Sequence, residues 1–319
     1  MDIRLTALAA EQDGVFTRGQ AVRRGVDDAE LGRLVKRREL IRLRRGAYLP
    51  AVLHDEADAV GRHLLLIRAV RLSLRERVVL SHASAAVLHG LTLWRVDLSR
   101  VHVTRLDAGA PRDQAGVEHH VGEVDPAQVV GRRGMPTVCA ARAVVECAMT
   151  AEFESGVVLA DSALHHGLVT GEELRTVLDG MRCWPGAIAA GRVVSFADGG
   201  SESVGESRAR VLFAQQGLPA PVLQREISDR RGERVGRTDF LFEDERTIVE
   251  FDGRIKYGRE GVAAPGVVVR EKVREDRLRE LGYEVVRITW EDLAHPERTA
   301  ARIRAAFARS RVRRHVAAG

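Results

Sequence analysis

The stretch DDAELGRLVKRRELIRLRRGAYLP, Asp27 to Pro50, changes its hydrophobic period halfway along. Asp27, with Glu30 three residues on, has the form of a capping box and so marks a helix start. Leu31, Leu34 and Val35 then make an apolar stripe at helical spacing, while Arg33, Lys36, Arg37 and Arg38 lie on or near the other face. After Leu40 the period changes. Ile41, Leu43, Arg45 and Tyr48, with Gly46 between the last two, predict a short two-stranded hairpin whose arms carry Arg42, Arg44 and Arg45. Upstream, an apolar period from Ile3 through Leu5 and Leu8 predicts a first helix ending at Gly14. Thr17 is placed to cap a second, short helix that ends at Arg24 and Gly25.

Helix, helix, basic helix, basic hairpin is the layout of a winged helix-turn-helix, in which the third helix enters the major groove and the wing touches backbone. Between Lys36 and Arg45 six basic residues face Glu39 alone, a local charge equal to the +5 of the whole chain. Double-stranded DNA is the partner this pattern predicts. A solvated basic face on a small helical domain is the competing reading, and the agreement of charge with layout favours DNA. The stretches GVFTRGQAVRRGV (Gly14 to Val26) and RRELIRLRRGAYLP (Arg37 to Pro50) resemble the N-terminal domain of AbiEi-type abortive-infection antitoxins. That resemblance implies a winged helix, operator binding with autoregulation, and a possible cognate toxin.

Working outward, 319 residues exceed one ordinary domain and suggest two or three modules. With 45% hydrophobic and 30% charged residues the chain has the balance of a soluble globular protein, not of a disordered or membrane chain. No apolar run approaches a membrane span. Asp2, Arg4 and Glu11 interrupt the place where a secretory segment would be unbroken, so a cytoplasmic location is the default expectation. Of 50 basic residues only Lys36, Lys256 and Lys272 are lysine, a bias that reflects base composition more than chemistry. Cys139, Cys147 and Cys183 show no disulfide or zinc spacing and read as reduced, buried thiols.

Residues 51–198 are expected to form a mixed, mainly helical middle domain. Helical patterns run near Glu56–Arg75, Ser81–His89, Cys139–Met149, Glu152–His166 and Gly171–Met181, with strand-like VHVTRL and VEHHV between them. SHASAAVLHGL (Ser81 to Leu91) and MPTVCAARAVVECA (Met135 to Ala148) resemble the middle region of actinobacterial AbiEi-like proteins, a likeness that names no chemistry. His82, His89, His119, His120, His165 and His166 lack a ligand spacing such as HExxH and read as structural or surface residues, with Ser81 as a helix cap. Hydrolase elbow, phosphate-loop and dinucleotide motifs are absent from the sequence. FADGGSES, Phe196 to Ser203, reads as a linker.

Residues 199–319 read as an αβββαβα unit: helix Ser203–Gln216, strands Val222–Ser228, the segment through Phe242 and Thr247–Asp252, helix Val269–Leu281, strand Tyr283–Thr289 and a closing helix from Pro296. Val249 and Phe251 take one side of the third strand, so Glu250 and Asp252 project together from the other. A tight turn at Glu243 to Arg246 lays Asp239 close to Glu250 or Asp252. Carboxylates converging beside apolar residues repel, and oxygen-only donors favour Mg²⁺ or Mn²⁺. Glu243, Asp244 and Glu245 look like turn residues only. Arg270, Arg274 and Arg277 could hold phosphates or pair along the helix with Glu271, Glu275 and Glu280, and the arginine-rich run from Arg302 to Arg314 could reach DNA backbone.

Three stretches, SESVGESRARVLFAQQGLPAPVLQ (Ser201 to Gln224), GRTDFLFEDERTIVEFDGRIKY (Gly236 to Tyr257) and REDRLRELGYEVVRITWEDL (Arg274 to Leu293), together resemble the PD-(D/E)XK nuclease superfamily, in particular domains related to very-short-patch-repair endonucleases. That resemblance implies a restriction-endonuclease-like core. It makes Glu206 the helix acid and Asp239 and Glu250 the metal ligands that activate water against a phosphodiester. Asp252 falls at the superfamily's lysine position, and Lys256 or Lys272 could have taken that role, since arginine stays protonated. The function expected is a metal-dependent DNA endonuclease carried by Glu206, Asp239, Glu250, Asp252 and Lys256. The alternative is an antitoxin-type regulator whose nuclease-like domain does not cut, and an RNA-processing nuclease is the third reading.

Overall fold

Short polar caps set the N-terminal helices. Asp2 accepts from the Arg4 N–H at 2.8 Å and starts helix Ile3–Glu11, while Thr17 and Gln20 form a reciprocal capping box on helix Arg18–Arg23. In the computed structural model, which describes residues 2–72, 77–107, 112–114, 116–253 and 265–318, these helices belong to the first of two compact units. That unit comprises residues 1–159 and 167–195, and the second comprises 160–166 and 196–319. The architecture is α+β, with three sheets among the described residues.

Asp27 starts the third helix, Asp28–Lys36, by accepting from the Glu30 N–H at 2.7 Å. The Glu30 carboxylate does not complete the expected box; it faces Arg4, 3.5 Å away. Strands Leu40–Arg44 and Ala47–Pro50 form the expected hairpin, and Phe16–Thr17 pairs with its second arm. Leu5, Leu8, Phe16, Ala21, Val26, Leu31, Leu34 and Leu40 make one buried core, with Val35 packed at its edge. Ile3 departs from the expected stripe and is 82% exposed. On the other side of the hairpin Val15, Ala47 and Leu49 pack with Leu65 and Ala69 of helix Ala59–Arg71.

The rest of this unit holds more strand than the helical patterns suggested. A six-stranded sheet contains Val78–Leu80, Val101–Arg105, Arg112–Gln114, Val117–His120, Val129–Arg132 and Met135–Val138. Several of these are only three or four residues long, too short for periodicity to register. Helices His82–Leu88, Ala140–Thr150, Gly171–Gly180 and Ala187–Phe196 accompany the sheet, with Phe196 falling at the start of the second unit's segment. Cys147 is buried as expected, but Cys139 is half-buried and Cys183 exposed.

In the second unit the order is helix Val204–Gln215, strands Val222–Ser228, Arg234–Phe242 and Thr247–Asp252, helix Pro265–Glu280, strand Glu284–Thr289, then helices Trp290–Ala294 and Pro296–Ala318. The short helix from Trp290 was not expected. The first three strands are antiparallel, and the fourth runs parallel to Thr247–Asp252, as a crossover through a helix requires. Phe213, Phe240, Phe242 and Phe307 stack edge-on in the core, with centroids 5.1–5.5 Å apart.

Ion pairs refine one expectation for this unit and correct another. The arginines of the last helix are tied to the unit's own acids: Arg309 and Arg313 reach Glu284 at 2.9 and 3.0 Å, Arg311 pairs with Glu245, and Arg302 with Asp292 at 2.8 Å. These pairs dock the helix, while the side chains of Arg309, Arg311 and Arg313 stay 55–60% exposed. Glu245 is accordingly a buried ion-pair partner and more than a turn residue.

Candidate functional site

Two groups of side chains concentrate chemistry. The first lies on the segment that opened the sequence reading. Arg33, Lys36, Arg37 and Arg38 are exposed on and just beyond the third helix, and Arg42 and Arg45 are exposed on the hairpin. The helix stops at Lys36 because Arg38 takes φ 56, the left-handed conformation that lets the Glu39 N–H reach the Leu34 carbonyl at 3.0 Å. An open groove of about 870 Å³ runs between helix and hairpin, lined by Arg18, Lys36, Arg42, Arg45 and Tyr48 among others. Asp28 pairs with Arg18 and lowers the local positive charge by one. Arg44 stands apart: it is half-buried, its Nε and Nη1 have no hydrogen-bond acceptor among the described residues, and burial lowers its pKa.

The second group is the acid cluster of the C-terminal unit. The hairpin register, Phe240 opposite Val249 and Leu241 opposite Ile248, brings Asp239 alongside Glu250. Asp239 accepts from the Phe251 N–H at 2.8 Å. Burial raises the Asp239 carboxyl most; the Phe251 N–H opposes the shift and the nearby Glu206 adds to it, leaving the group at about 6. Glu206 is buried in the first turn of its helix. It accepts from the Ser203 hydroxyl at 2.7 Å, the Glu202 N–H at 3.0 Å and the Gln224 amide at 3.0 Å. Glu250 is held by Arg274 at 2.7 Å. That guanidinium also donates to the Arg237 carbonyl at 2.7 Å and passes directly over Gly236, where a Cβ would lie 2.3 Å from its Nε. Asp252 is half-exposed at the strand end, and Lys256 lies outside the described residues.

The structure therefore brings Glu206, Asp239 and Glu250 together but does not bring three ligand oxygens of these acids within 4.8 Å of one another. Each acid is engaged by a protein donor instead. As a donor set the three still suit a hard divalent cation: oxygen-only, partly buried, and carrying more negative charge than Arg274 balances. Arg277 turns away to Asp229 at 3.0 Å. Sequence reasoning missed two participants. Gln224 has φ 50 inside its strand, an unusual conformation for a residue with a side chain, and it delivers its amide to Glu206. Arg274 was left between two roles, and its partner, Glu250, lies 24 residues away.

Comparison with known proteins bears on both groups. Residues 4–51 match the family model described as "Transcriptional regulator, AbiEi antitoxin". Two proteins of Mycobacterium tuberculosis, named "Uncharacterized protein MT2308" (strain CDC 1551 / Oshkosh) and "Uncharacterized protein Rv2248" (strain H37Rv), are each 30% identical over 285 residues. The match spans 87% of this chain and 96% of theirs. The chain belongs to their family. The Rv2248 family match thus runs through both units, whereas the antitoxin match is confined to the segment bearing the basic groove. A crystal structure of the RV2827C protein from the same organism aligns with TM-score 0.41 and 17% identity, covering 70% of this chain and 87% of that one. No helix among the described residues is long and apolar enough to cross a membrane.

Proposed function

We propose that this member of the Rv2248 family binds double-stranded DNA as an AbiEi-type regulator, with residues 2–50 acting as a winged helix-turn-helix. The observation that carries the reading is the exposed arc Arg33, Lys36, Arg37, Arg38, Arg42 and Arg45 around the groove between third helix and hairpin, on the segment that matches the antitoxin family. In that reading the third helix enters the major groove and the hairpin's arginines hold phosphates on either side. Half-buried Arg44 contributes from behind the hairpin. A cognate toxin is the protein partner the family resemblance suggests. The test is duplex affinity by fluorescence anisotropy across a salt series. Arg42→Ala with Arg45→Ala should weaken binding at least 10-fold and reduce the slope of log affinity against log salt by about 2, one for each lost phosphate contact. Unchanged affinity would refute the assignment.

A second reading is a metal-dependent endonuclease of PD-(D/E)XK type in the C-terminal unit, favoured by the convergence of Glu206, Asp239 and Glu250 at one end of a mixed sheet. Asp239 and Glu250 would hold Mg²⁺ or Mn²⁺, which supplies the charge that activates water and stabilises the phosphorane. Glu206 would steady the site through Gln224 and Ser203, and Asp252 and Lys256 are the groups nearest in sequence for orienting the water. Supercoiled DNA incubated with Mg²⁺ or Mn²⁺ should be nicked by the purified protein and left intact by Glu250→Ala. No nicking, alongside tight salt-sensitive binding, leaves the regulator reading alone.

A further inference from the structure

The outward face of the sheet in the N-terminal unit gathers histidines that lie far apart in the sequence. Strands Val101–Arg105 and Val117–His120 are parallel neighbours, with His102 opposite Glu118 and Thr104 opposite His120. Alternation along each strand buries Val101, Val103, Val117 and His119 on one side and turns His102, Glu118 and His120 to the other. His102 Nδ1 lies 2.9 Å from His120 Nε2, and oxygens of Glu118 lie 3.9 and 3.8 Å from those same two atoms.

His82 completes the setting. Its ring stacks on His120 with centroids 3.7 Å apart, and its backbone takes φ 48, strained for a side chain of this size. The His82 N–H donates at 3.0 Å to Glu146, a buried carboxylate itself bound by Arg142 at 2.7 Å. A buried ion pair thus holds a strained turn whose imidazole covers one side of the cluster. The cluster borders a cavity of about 440 Å³ lined by His82, Arg100, His102 and Glu118.

We propose that His102, Glu118 and His120 form a binding site for a divalent transition-metal ion, with Zn²⁺ the best match and the fourth position open to the cavity. Four-coordinate zinc with bonds of about 2.0–2.1 Å sets adjacent donors about 3.3 Å apart. The observed separations straddle that value, so each donor need move by only about half an ångström. Two imidazoles and one carboxylate select Zn²⁺ or Fe²⁺ over the Mg²⁺ expected at an all-oxygen site. The proposal concerns a different unit and a different donor chemistry from the acid cluster, and it stands whether or not that cluster cuts DNA.

The test uses tag-free, full-length protein stripped of metal, titrated with Co²⁺ and then with competing Zn²⁺. One equivalent of Co²⁺ should bind with the visible ligand-field band of four-coordinate cobalt, and Zn²⁺ should displace it. His102→Ala and His120→Ala should lose the band and at least 100-fold in affinity, whereas His315→Ala, at an exposed histidine of the last helix, should keep both. Glu118→Gln, at a side chain 39% exposed, preserves shape and should weaken binding at least 10-fold even if the histidine variants misfold. Absence of the band in the wild-type protein would overturn the site and leave the histidines a structural stack. Retention of full affinity in folded His102→Ala or Glu118→Gln, or loss of the band in His315→Ala, would overturn it equally.

Discussion

At the scale of the residue, Asp239 has the plainest physical consequence. Burial and Glu206 raise its carboxyl to about 6 in the folded chain, above the ordinary 3.8. The folded state therefore holds this proton more tightly than the unfolded state does. The resulting stability is complete below about pH 4 and is lost as pH rises through 6, by up to about 3 kcal/mol. Asp239→Asn should abolish that loss, so its advantage over wild type in urea unfolding should grow between pH 4 and pH 7.5. Parallel pH profiles would contradict the environment described for Asp239. Arg38 offers an independent case. Its left-handed backbone ends the third helix, and glycine there removes the strain. Arg38→Gly should raise thermal stability by the equivalent of about 0.5–1 kcal/mol while weakening duplex binding several-fold.

At the scale of the element, the packing of helix Val204–Gln215 on strand Thr247–Asp252 decides whether the acids meet. Gly205 sits where a Cβ would fall 1.9 Å from the Phe251 ring, so the helix approaches the strand only because that position has no side chain. Phe251 in turn donates its N–H to Asp239 and packs its ring edge-on against Trp290, centroids 5.2 Å apart. Gly205→Ala should cost about 1–3 kcal/mol by overpacking and should also disturb Asp239. Urea denaturation measures the first effect, and the pH profile described above reports the second. The sequence made this helix, these strands and the side of the strand carrying Glu250 legible through period and caps. It did not reveal Gln224, because a strand residue forced to φ 50 has no compositional signature, and it left Arg274 undecided because its acceptors are contributed by other strands.

At the scale of the whole molecule, the basic groove belongs to one compact unit and the acid cluster to the other. Their contributions should therefore separate. Asp239→Ala should leave duplex affinity in metal-free buffer within about 2-fold of wild type. Arg42→Ala with Arg45→Ala should leave untouched any stabilisation by Mg²⁺ seen in thermal melts. Sites with no shared partners behave additively, and anisotropy with calorimetry on the combined variant would expose any coupling.

What the sequence determined by itself is local: helix starts at Ile3, Thr17, Asp27 and Ser203, the change of period at Leu40, the density of positive charge that follows, and the alternation that sets Glu250 on one side of its strand. These rest on interactions within a few residues, where cap chemistry and hydrophobic period suffice. The tertiary structure alone decided the rest. His82 and His120 read as structural or surface residues, and His102 carried no signal, until parallel pairing of two short strands set His102 beside Glu118 and His120 and the turn at His82 folded over them. Glu245 read as a turn residue until the last helix brought Arg311 to it, and Glu250 as one of several converging acids with no basic side chain assigned to it until Arg274 crossed Gly236. Such partners lie tens of residues apart, and only the closing of the sheets fixes which of them meet.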